Sequence, residues 1–76
     1  MNVRKNMKQE RNNGLSDFVR RKRKEFHYTQ EDLAIRSGLS LHFIQNLEQG
    51  KMSLRMDKVN QLLDFFHAEL VVGEKK

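Results

Sequence analysis

The sequence predicts an all-α domain of four short helices followed by a short C-terminal strand. Three observations support this. Apolar residues recur at three- and four-residue spacing from Leu15 to His67, capping residues and glycines divide that stretch into helix-length segments, and two adjacent valines change the period near the end. The 76 residues are enough for one small domain, whose core is only marginally stable by itself, and this favours association with a second chain.

Composition and charge narrow the classes of function. The chain has no cysteine, which excludes disulfides and cysteine-based zinc sites, and no apolar run reaches the length of a membrane span. No segment near the start resembles a signal peptide, so we expect a cytoplasmic protein. The net charge of +5 is concentrated in residues 1–26, which contain nine basic residues and three acidic ones. This asymmetry favours nucleic acid or an anionic membrane as partner, although a solvated helix face explains a basic run equally well.

Residues 1–14, MNVRKNMKQERNNG, contain few apolar residues and end in a turn-forming cluster. We expect these residues to form a basic arm outside the folded domain. Such arms are more often disordered tails, and the alternative is an arm that lies along DNA phosphates. The predicted domain spans residues 15–67. Its first helix, about residues 15–26, carries the basic run Arg20–Lys24.

The most informative stretch runs from Gln30 to Gln49, QEDLAIRSGLSLHFIQNLEQ. Thr29 begins a near capping box that starts a second helix at Gln30. Gly38 ends that helix in a left-handed conformation, and Ser40 caps a third helix of about residues 41–48. Small and apolar residues fall where two helices crossing at a tight turn would pack, namely at Leu33, Ala34, Leu39, Ile44 and Leu47. This arrangement is a helix-turn-helix and predicts a DNA-reading unit.

A fourth helix is predicted over residues 57–67, and residues 69–73 then favour a strand because adjacent β-branched valines precede a glycine. A lone strand leaves its backbone unpaired. We therefore expect Leu70, Val71 and Val72 to pair with the same strand of a second subunit across a two-fold axis. The alternative is a frayed tail.

Gln30, Ala34, Gly38, Ile44 and Leu47, together with the run LEQGK at residues 47–51, resemble the phage repressor and Cro class of helix-turn-helix proteins, the XRE family. The resemblance covers about residues 15–67 and implies a lambda-repressor-like four-helix fold. Within the family the chain is most similar to the small HipB-like antitoxins, whose corresponding run resembles MDKVNQ at residues 56–61. This similarity implies a homodimer that binds a double-stranded DNA operator, represses its own operon and binds a HipA-like toxin kinase.

The resemblance places the DNA contacts at the start of the second helix and along and just beyond the third. They are Gln30, Ser40, Leu41, His42, Gln45, Asn46 and Lys51. Asn46 is suited to adenine because its amide can pair with N6 and N7 together, while Leu41, at a position where the family more often has a polar residue, favours a thymine methyl group. Ser40 and Lys51 fit phosphate contacts, and Gln30 would touch phosphate and brace the third helix.

The resemblance also implies that Arg23 of the first helix pairs with Glu48 at the end of the third. Periodicity agrees that Arg23 lies near Val19 and Phe26, on the inward side of the first helix. A buried charge at that position requires a partner.

Catalysis and cofactor binding find little support. His27, His42 and His67 lack metal-ligand spacing, and neither a cysteine nucleophile nor a glycine-rich phosphate loop is present. We therefore expect no enzymatic activity, cofactor or metal.

Three alternatives to an autoregulating antitoxin stay open. They are a stand-alone phage-type repressor, a protein-interaction module that has lost DNA binding, and a binder of anionic membranes through the Arg20–Lys24 run. The membrane alternative is the weakest, because the first helix needs its apolar face for the core.

Overall fold

The computed structural model describes residues 13–51 and 53–71. Within them the chain forms four helices in the order α1 (Asn13–Glu25), α2 (Gln30–Ser37), α3 (Leu41–Glu48) and α4 (Met56–Phe65). The predicted all-α, four-helix architecture is confirmed for these residues. The boundaries of two helices differ from the prediction. α1 begins at Asn13, so that Asn13 and Gly14 belong to the helix and not to the predicted arm, and α4 starts one residue earlier and ends two residues earlier than expected. The rest of the arm, residues 1–12, lies outside the described residues.

One hydrophobic core joins the helices. Its buried members are Val19, Leu33, Ala34, Leu39, Phe43, Ile44, Leu47, Val59, Leu62, Leu63 and Phe66. All five residues predicted to pack at the crossing of α2 and α3 are among them, and Leu33, Ile44 and Leu47 are fully shielded from solvent. Burial of each such aliphatic side chain contributes roughly 1.5–3 kcal/mol relative to leaving it exposed. The same residues therefore stabilise the domain and hold α3 at a defined angle to α2.

Local caps set the ends of α2 and the start of α3. Thr29 and Asp32 form a reciprocal capping box, in which the Asp32 N–H donates to Thr29 Oγ1 and the Thr29 N–H donates to Asp32 Oδ2, both at 3.0 Å. Gly38 follows α2 with φ of +78°, a left-handed conformation that a residue with a Cβ adopts only at a cost. Ser40 Oγ accepts the Phe43 N–H at 3.0 Å. The caps predicted at Thr29, Gly38 and Ser40 are confirmed.

Two histidines occupy left-handed positions after helices, which the sequence did not predict. His27 follows α1 with φ of +61°, and His67 follows α4 with φ of +58°. At the end of α4 the Ala68 N–H donates to the Leu63 carbonyl at 2.8 Å, the six-to-one hydrogen bond of a Schellman motif. Histidine therefore stands at two helix ends where glycine is the usual residue.

The predicted C-terminal strand is not seen in the part of it that the structure describes. Glu69, Leu70 and Val71 have no strand assignment, and Val72 and Gly73 lie outside the described residues. A strand is defined by hydrogen bonds to a neighbouring strand, and the described residues of one chain supply no such neighbour. Pairing with a second subunit stays a prediction.

The segment after α4 turns back along α1. Ala68, Glu69 and Leu70 line an apolar cavity of about 200 Å³ together with Gly14, Leu15, Phe18 and Leu63. This placement brings the beginning of α1 and the C-terminal segment to the same end of the domain.

Candidate nucleic-acid interface

α3 has one buried face and one polar face. Phe43, Ile44, Leu47 and Glu48 are buried, so Phe43 packs in the core. The opposite side presents His42, Gln45, Asn46 and Gln49, at positions i, i+3, i+4 and i+7 of one helical stripe. We call these four residues the reading face. His42 and Gln49 are exposed and Gln45 and Asn46 half-buried, so each has side-chain surface that a ligand can reach.

Leu41 does not stand fully on this face. It is half-buried and packs against the hydrophobic core at the beginning of α3. Removing part of a leucine side chain from water is favourable, which explains why it leans toward the core. The remaining exposed part borders the reading face.

The side chains of the reading face make no hydrogen bond to any of the described residues. Two other amides in the domain are committed. Gln30 Nε2 donates to Glu48 Oε1 at 3.1 Å, and Gln61 Nε2 donates to the Ser37 carbonyl at 2.9 Å. The donors and acceptors of Gln45, Asn46 and Gln49 are thus available to an external partner.

A buried ion pair fixes the end of α3 to α1, as the family resemblance implied. Arg23 Nε donates to Glu48 Oε2 at 2.7 Å and Arg23 Nη2 to Glu48 Oε1 at 3.0 Å, a two-pronged contact. The side chains are 13% and 5% exposed. The hydrogen bonds to Glu48 raise the pKa of the Arg23 guanidinium, outweighing the opposing effect of burial.

Two further groups complete the surroundings of this ion pair. Arg23 Nη1 donates to the Tyr28 carbonyl at 2.9 Å, and the Gln30 amide donates to Glu48 as described above. The bracing of α3 by Gln30 is therefore present, whereas its contact with phosphate stays a prediction. The Glu48 carboxylate thus joins α1 and α2 to α3. Its negative charge and the positive charge of Arg23 compensate each other.

Four of the five basic side chains in the run Arg20–Lys24 contact a carboxylate, although α1 keeps a net positive charge. Arg20 pairs with Asp17 at 2.9 Å, while Arg21 and Lys22 approach Glu25 at 3.4 and 3.3 Å. Arg23 is committed to Glu48. This pattern favours the solvated-face interpretation of the run, and it reduces the support for an anionic membrane as the partner.

Phosphate contacts have candidate groups at both ends of α3. Ser40 is exposed and its Oγ accepts the Phe43 N–H, while the Leu41 and His42 N–H groups have no acceptor within the helix, which is the usual setting for an anion contact. Beyond the other end, Gly50 takes a left-handed φ of +81° and Lys51 is exposed. The sequence placed Ser40 and Lys51 correctly at the two ends of α3.

Sequence reasoning missed two polar residues of this region. Gln49 was assigned only to the end of α3, although its spacing of three from Asn46 puts it on the same stripe. Gln61 lies on α4 and its amide binds the last carbonyl of α2, beside the turn at Gly38. No local pattern signals a contact across 24 residues, so only the fold reveals it.

Other classes of site receive no support from the described residues. No group of three histidine, aspartate or glutamate side chains among residues 13–51 and 53–71 is arranged to hold a metal ion. None of the helices in these two ranges has the length and apolarity needed to cross a membrane.

A buried apolar crossing, an exposed polar stripe and a capped turn of this kind define a helix-turn-helix DNA-binding domain. Residues 19–71 match the family model described as Helix-turn-helix, and the chain belongs to this family of XRE-type DNA-binding regulators. No curated protein and no solved structure matches the chain significantly.

Proposed function

We propose that the protein is a sequence-specific, dimeric transcriptional repressor that acts as the autoregulating antitoxin of a HipA-type kinase toxin operon. The observation that carries the DNA-binding part is the reading face of α3. Its amides and imidazole are accessible and make no hydrogen bond to the described residues, whereas the opposite face of the same helix is buried and anchored through Glu48. A helix presented in this way fits the major groove.

The proposed DNA contacts divide into two kinds. His42, Gln45 and Asn46 read base edges, and the exposed part of Leu41 meets a thymine methyl group. Phosphate contacts come from the groups that flank the reading helix, which are Gln30, Ser40 and Lys51. Because α3 itself carries no lysine or arginine, the attraction to the DNA backbone depends on these flanking groups and on residues outside α3.

Dimerisation is proposed to use Leu70, Val71 and Val72. Leu70 is 46% and Val71 80% exposed, and Leu70 also lines the apolar cavity formed with α1. Covering such a patch with an identical patch from a second subunit would remove it from water. A two-fold dimer would also supply the second reading helix that a palindromic operator requires.

The antitoxin role rests on the similarity of MDKVNQ at residues 56–61 to HipB-like antitoxins. The proposed toxin partner is a HipA-like kinase. The reading frame next to the gene offers a direct check. A kinase-like frame immediately downstream, whose product co-purifies with this chain, supports the antitoxin role, and a phage gene at that position favours a stand-alone repressor.

The decisive experiment is footprinting of the full chain on the DNA upstream of its own gene. We expect two protected half-sites in palindromic orientation, about one helical turn or roughly 34 Å apart. Absence of any protected palindrome would refute autoregulation.

A pair of variants separates DNA reading from a protein-interaction role. Replacing Gln45 and Asn46 together with alanine should abolish the footprint, whereas Asn60→Ala should preserve it. Asn60 is a suitable control because it is an exposed amide on α4, outside the reading face, with no side-chain hydrogen bond to the described residues. Equal footprints from both variants would show that Gln45 and Asn46 do not read the operator, and absence of a footprint from the wild type and both variants would favour a module that binds protein and not DNA.

A further inference from the structure

The reading face has an unusual chemical uniformity. Its four side chains are three amides and one imidazole, with no guanidinium, ammonium or carboxylate group among them. Gln45, Asn46 and Gln49 are the amides, and His42 is the imidazole. Four accessible positions without a lysine or arginine are informative in a chain in which 15 of 76 residues are basic.

The major groove distinguishes base pairs by the pattern of donors and acceptors that each presents. Guanine is most often recognised by the two acceptors O6 and N7, which suit arginine or lysine. Adenine presents an acceptor at N7 and a donor at N6, and this mixed pair matches the carboxamide of asparagine or glutamine. A face made of amides therefore suits adenine and offers little to guanine.

We infer that the reading face recognises A·T pairs, and that Gln49 is its fourth reading residue in addition to His42, Gln45 and Asn46. This inference rests on the proposed function, because it specifies which bases that same site selects. The partial exposure of Leu41 beside the stripe agrees with it, since an A·T pair is the one that presents a methyl group in the major groove.

The length of the stripe sets the size of the recognised core. His42 and Gln49 are seven residues apart, about 10 Å along the helix axis at the usual rise of 1.5 Å per residue. Base pairs are stacked about 3.4 Å apart, so the stripe spans about three base-pair steps. We therefore expect a core of about three or four A·T-rich pairs in each half-site.

The backbone that carries these amides is also preorganised for this role. α3 is held by its buried residues Phe43, Ile44 and Leu47 and by the ion pair of Glu48 with Arg23. The amides of Gln30 and Gln61 are already committed to protein acceptors. The reading amides thus stand on a fixed helix, and binding a base would order only their own side-chain torsions.

The test begins with selection of bound duplexes from a fully randomised 24-base-pair library by the full-length protein. We expect enrichment of a palindrome with an A·T-rich core and no invariant guanine in that core. A half-site with an invariant guanine whose replacement by 7-deazaguanine weakens binding would overturn the inference and leave the proposed function intact. Failure to enrich any motif would overturn the proposed function and the inference together.

Base analogues then test the contact itself on the wild-type protein. Replacing a selected adenine by 7-deazaadenine removes the N7 acceptor while base pairing is retained, and we expect the dissociation constant to rise about 5- to 100-fold. Each of the variants Asn46→Ala and Gln49→Ala has already lost the contact with one adenine. Replacing that adenine by 7-deazaadenine should therefore not raise the dissociation constant of the variant any further. No effect of 7-deazaadenine at any selected position would overturn adenine reading.

Asn60→Ala provides the matched control for the substitutions. It should bind the selected duplex as the wild type does and keep the full response to 7-deazaadenine. If Gln49→Ala behaves like Asn60→Ala in both measurements, Gln49 does not belong to the reading set and that part of the inference is wrong.

Discussion

Arg23 and Glu48 meet in a two-pronged contact, with Nε–Oε2 and Nη2–Oε1 distances of 2.7 and 3.0 Å, although 25 residues separate them in the sequence. The two side chains are nearly inaccessible to solvent. This geometry connects the last turn of the reading helix to α1 and explains why a charged residue is tolerated on the buried face of α3.

Glu48→Ala should destabilise the domain strongly. The substitution leaves the Arg23 guanidinium in a site with little access to water and no compensating carboxylate, and removal of one partner of a buried pair typically costs about 3–5 kcal/mol. Urea unfolding followed by circular dichroism measures the loss. Asp17→Ala is the control, because the Arg20–Asp17 pair is much more exposed and its loss should cost less than about 1 kcal/mol. A similar small loss for Glu48→Ala would contradict a buried pair.

Gly38→Ala should destabilise the turn between α2 and α3. Gly38 has φ of +78°, and an added Cβ would lie 3.4 Å from Gln61 Nε2, so the backbone conformation is the larger penalty. We expect a loss of about 1–2 kcal/mol in the free energy of unfolding. Gly14→Ala is the matched control, since nothing lies within 4 Å of a Cβ at that position in α1. If both variants unfold at the same urea concentration, the turn does not depend on glycine.

His67→Gly should stabilise the protein. His67 holds a left-handed φ of +58°, which glycine adopts without a steric penalty. The gain is partly offset by the greater freedom of glycine in the unfolded chain. We therefore expect the free energy of unfolding to rise by about 0.5–1 kcal/mol, measured by thermal and urea unfolding. His42→Gly, inside α3, should have the opposite sign and cost about 0.3–0.5 kcal/mol. Destabilisation by both substitutions would refute the conformational argument.

The capping box of α2 should make stability depend on pH. The hydrogen bond from the Thr29 N–H, and then the one involving the Thr29 side chain, lower the pKa of Asp32 from its ordinary value. Because the pKa of Asp32 is lower in the folded state than in the unfolded state, its ionised carboxylate stabilises the fold at any pH above the unfolded-state pKa, which is about 3.9. This stabilisation is lost as the pH falls through the folded-state pKa. At pH 6 the wild type should therefore unfold at a higher urea concentration than Asp32→Asn. The difference between their urea midpoints should shrink steadily below about pH 4.

A second carboxylate provides the comparison for Asp32. Asp64 is exposed and its side chain makes no hydrogen bond to the described residues. The difference between the wild type and Asp64→Asn should therefore change much less over the same pH range. An unchanged Asp32→Asn difference from pH 6 to pH 2.5 would show that the capping box does not depend on the charge of Asp32.

Val71→Asp tests the proposed dimer interface. Val71 is 80% exposed in the single chain, so the substitution should leave the monomer folded but place two carboxylates against each other in a two-fold interface. Sedimentation analysis should then show a shift toward monomer and a weaker association with operator DNA. Ile35→Asp is the matched control for sedimentation, because Ile35 is equally exposed but lies on α2. An unchanged dimer in Val71→Asp would exclude this segment as the interface.

Much of the fold could be predicted because its signals are local. Thr29 with Asp32, Gly38 and Ser40 each act on neighbouring backbone groups, so their effect follows from spacing alone. The buried face of α3 was predictable for the same reason, since helical periodicity fixes which residues share a side. The boundaries of α1 and α4 were less accurate, because helix ends depend on interactions beyond the periodic pattern.

The candidate site was predicted only in part. The family resemblance placed His42, Gln45 and Asn46 on the exposed face of α3, but the half-burial of Leu41 depends on how closely the core approaches the first turn of α3. The left-handed His67 was also unpredictable, because only a few per cent of non-glycine residues adopt a positive φ, although histidine is enriched among them.

The sequence by itself determined the helix-turn-helix, because caps, glycines and helical spacing act within a few residues of each other. Only the tertiary structure decided how the polar side chains are used. It commits Gln30 to Glu48 and Gln61 to the carbonyl of Ser37, whereas Gln45, Asn46 and Gln49 keep their amides free. The physical reason is that a hydrogen bond depends on distance and direction in space, and residues on different helices come within reach only after the core has packed.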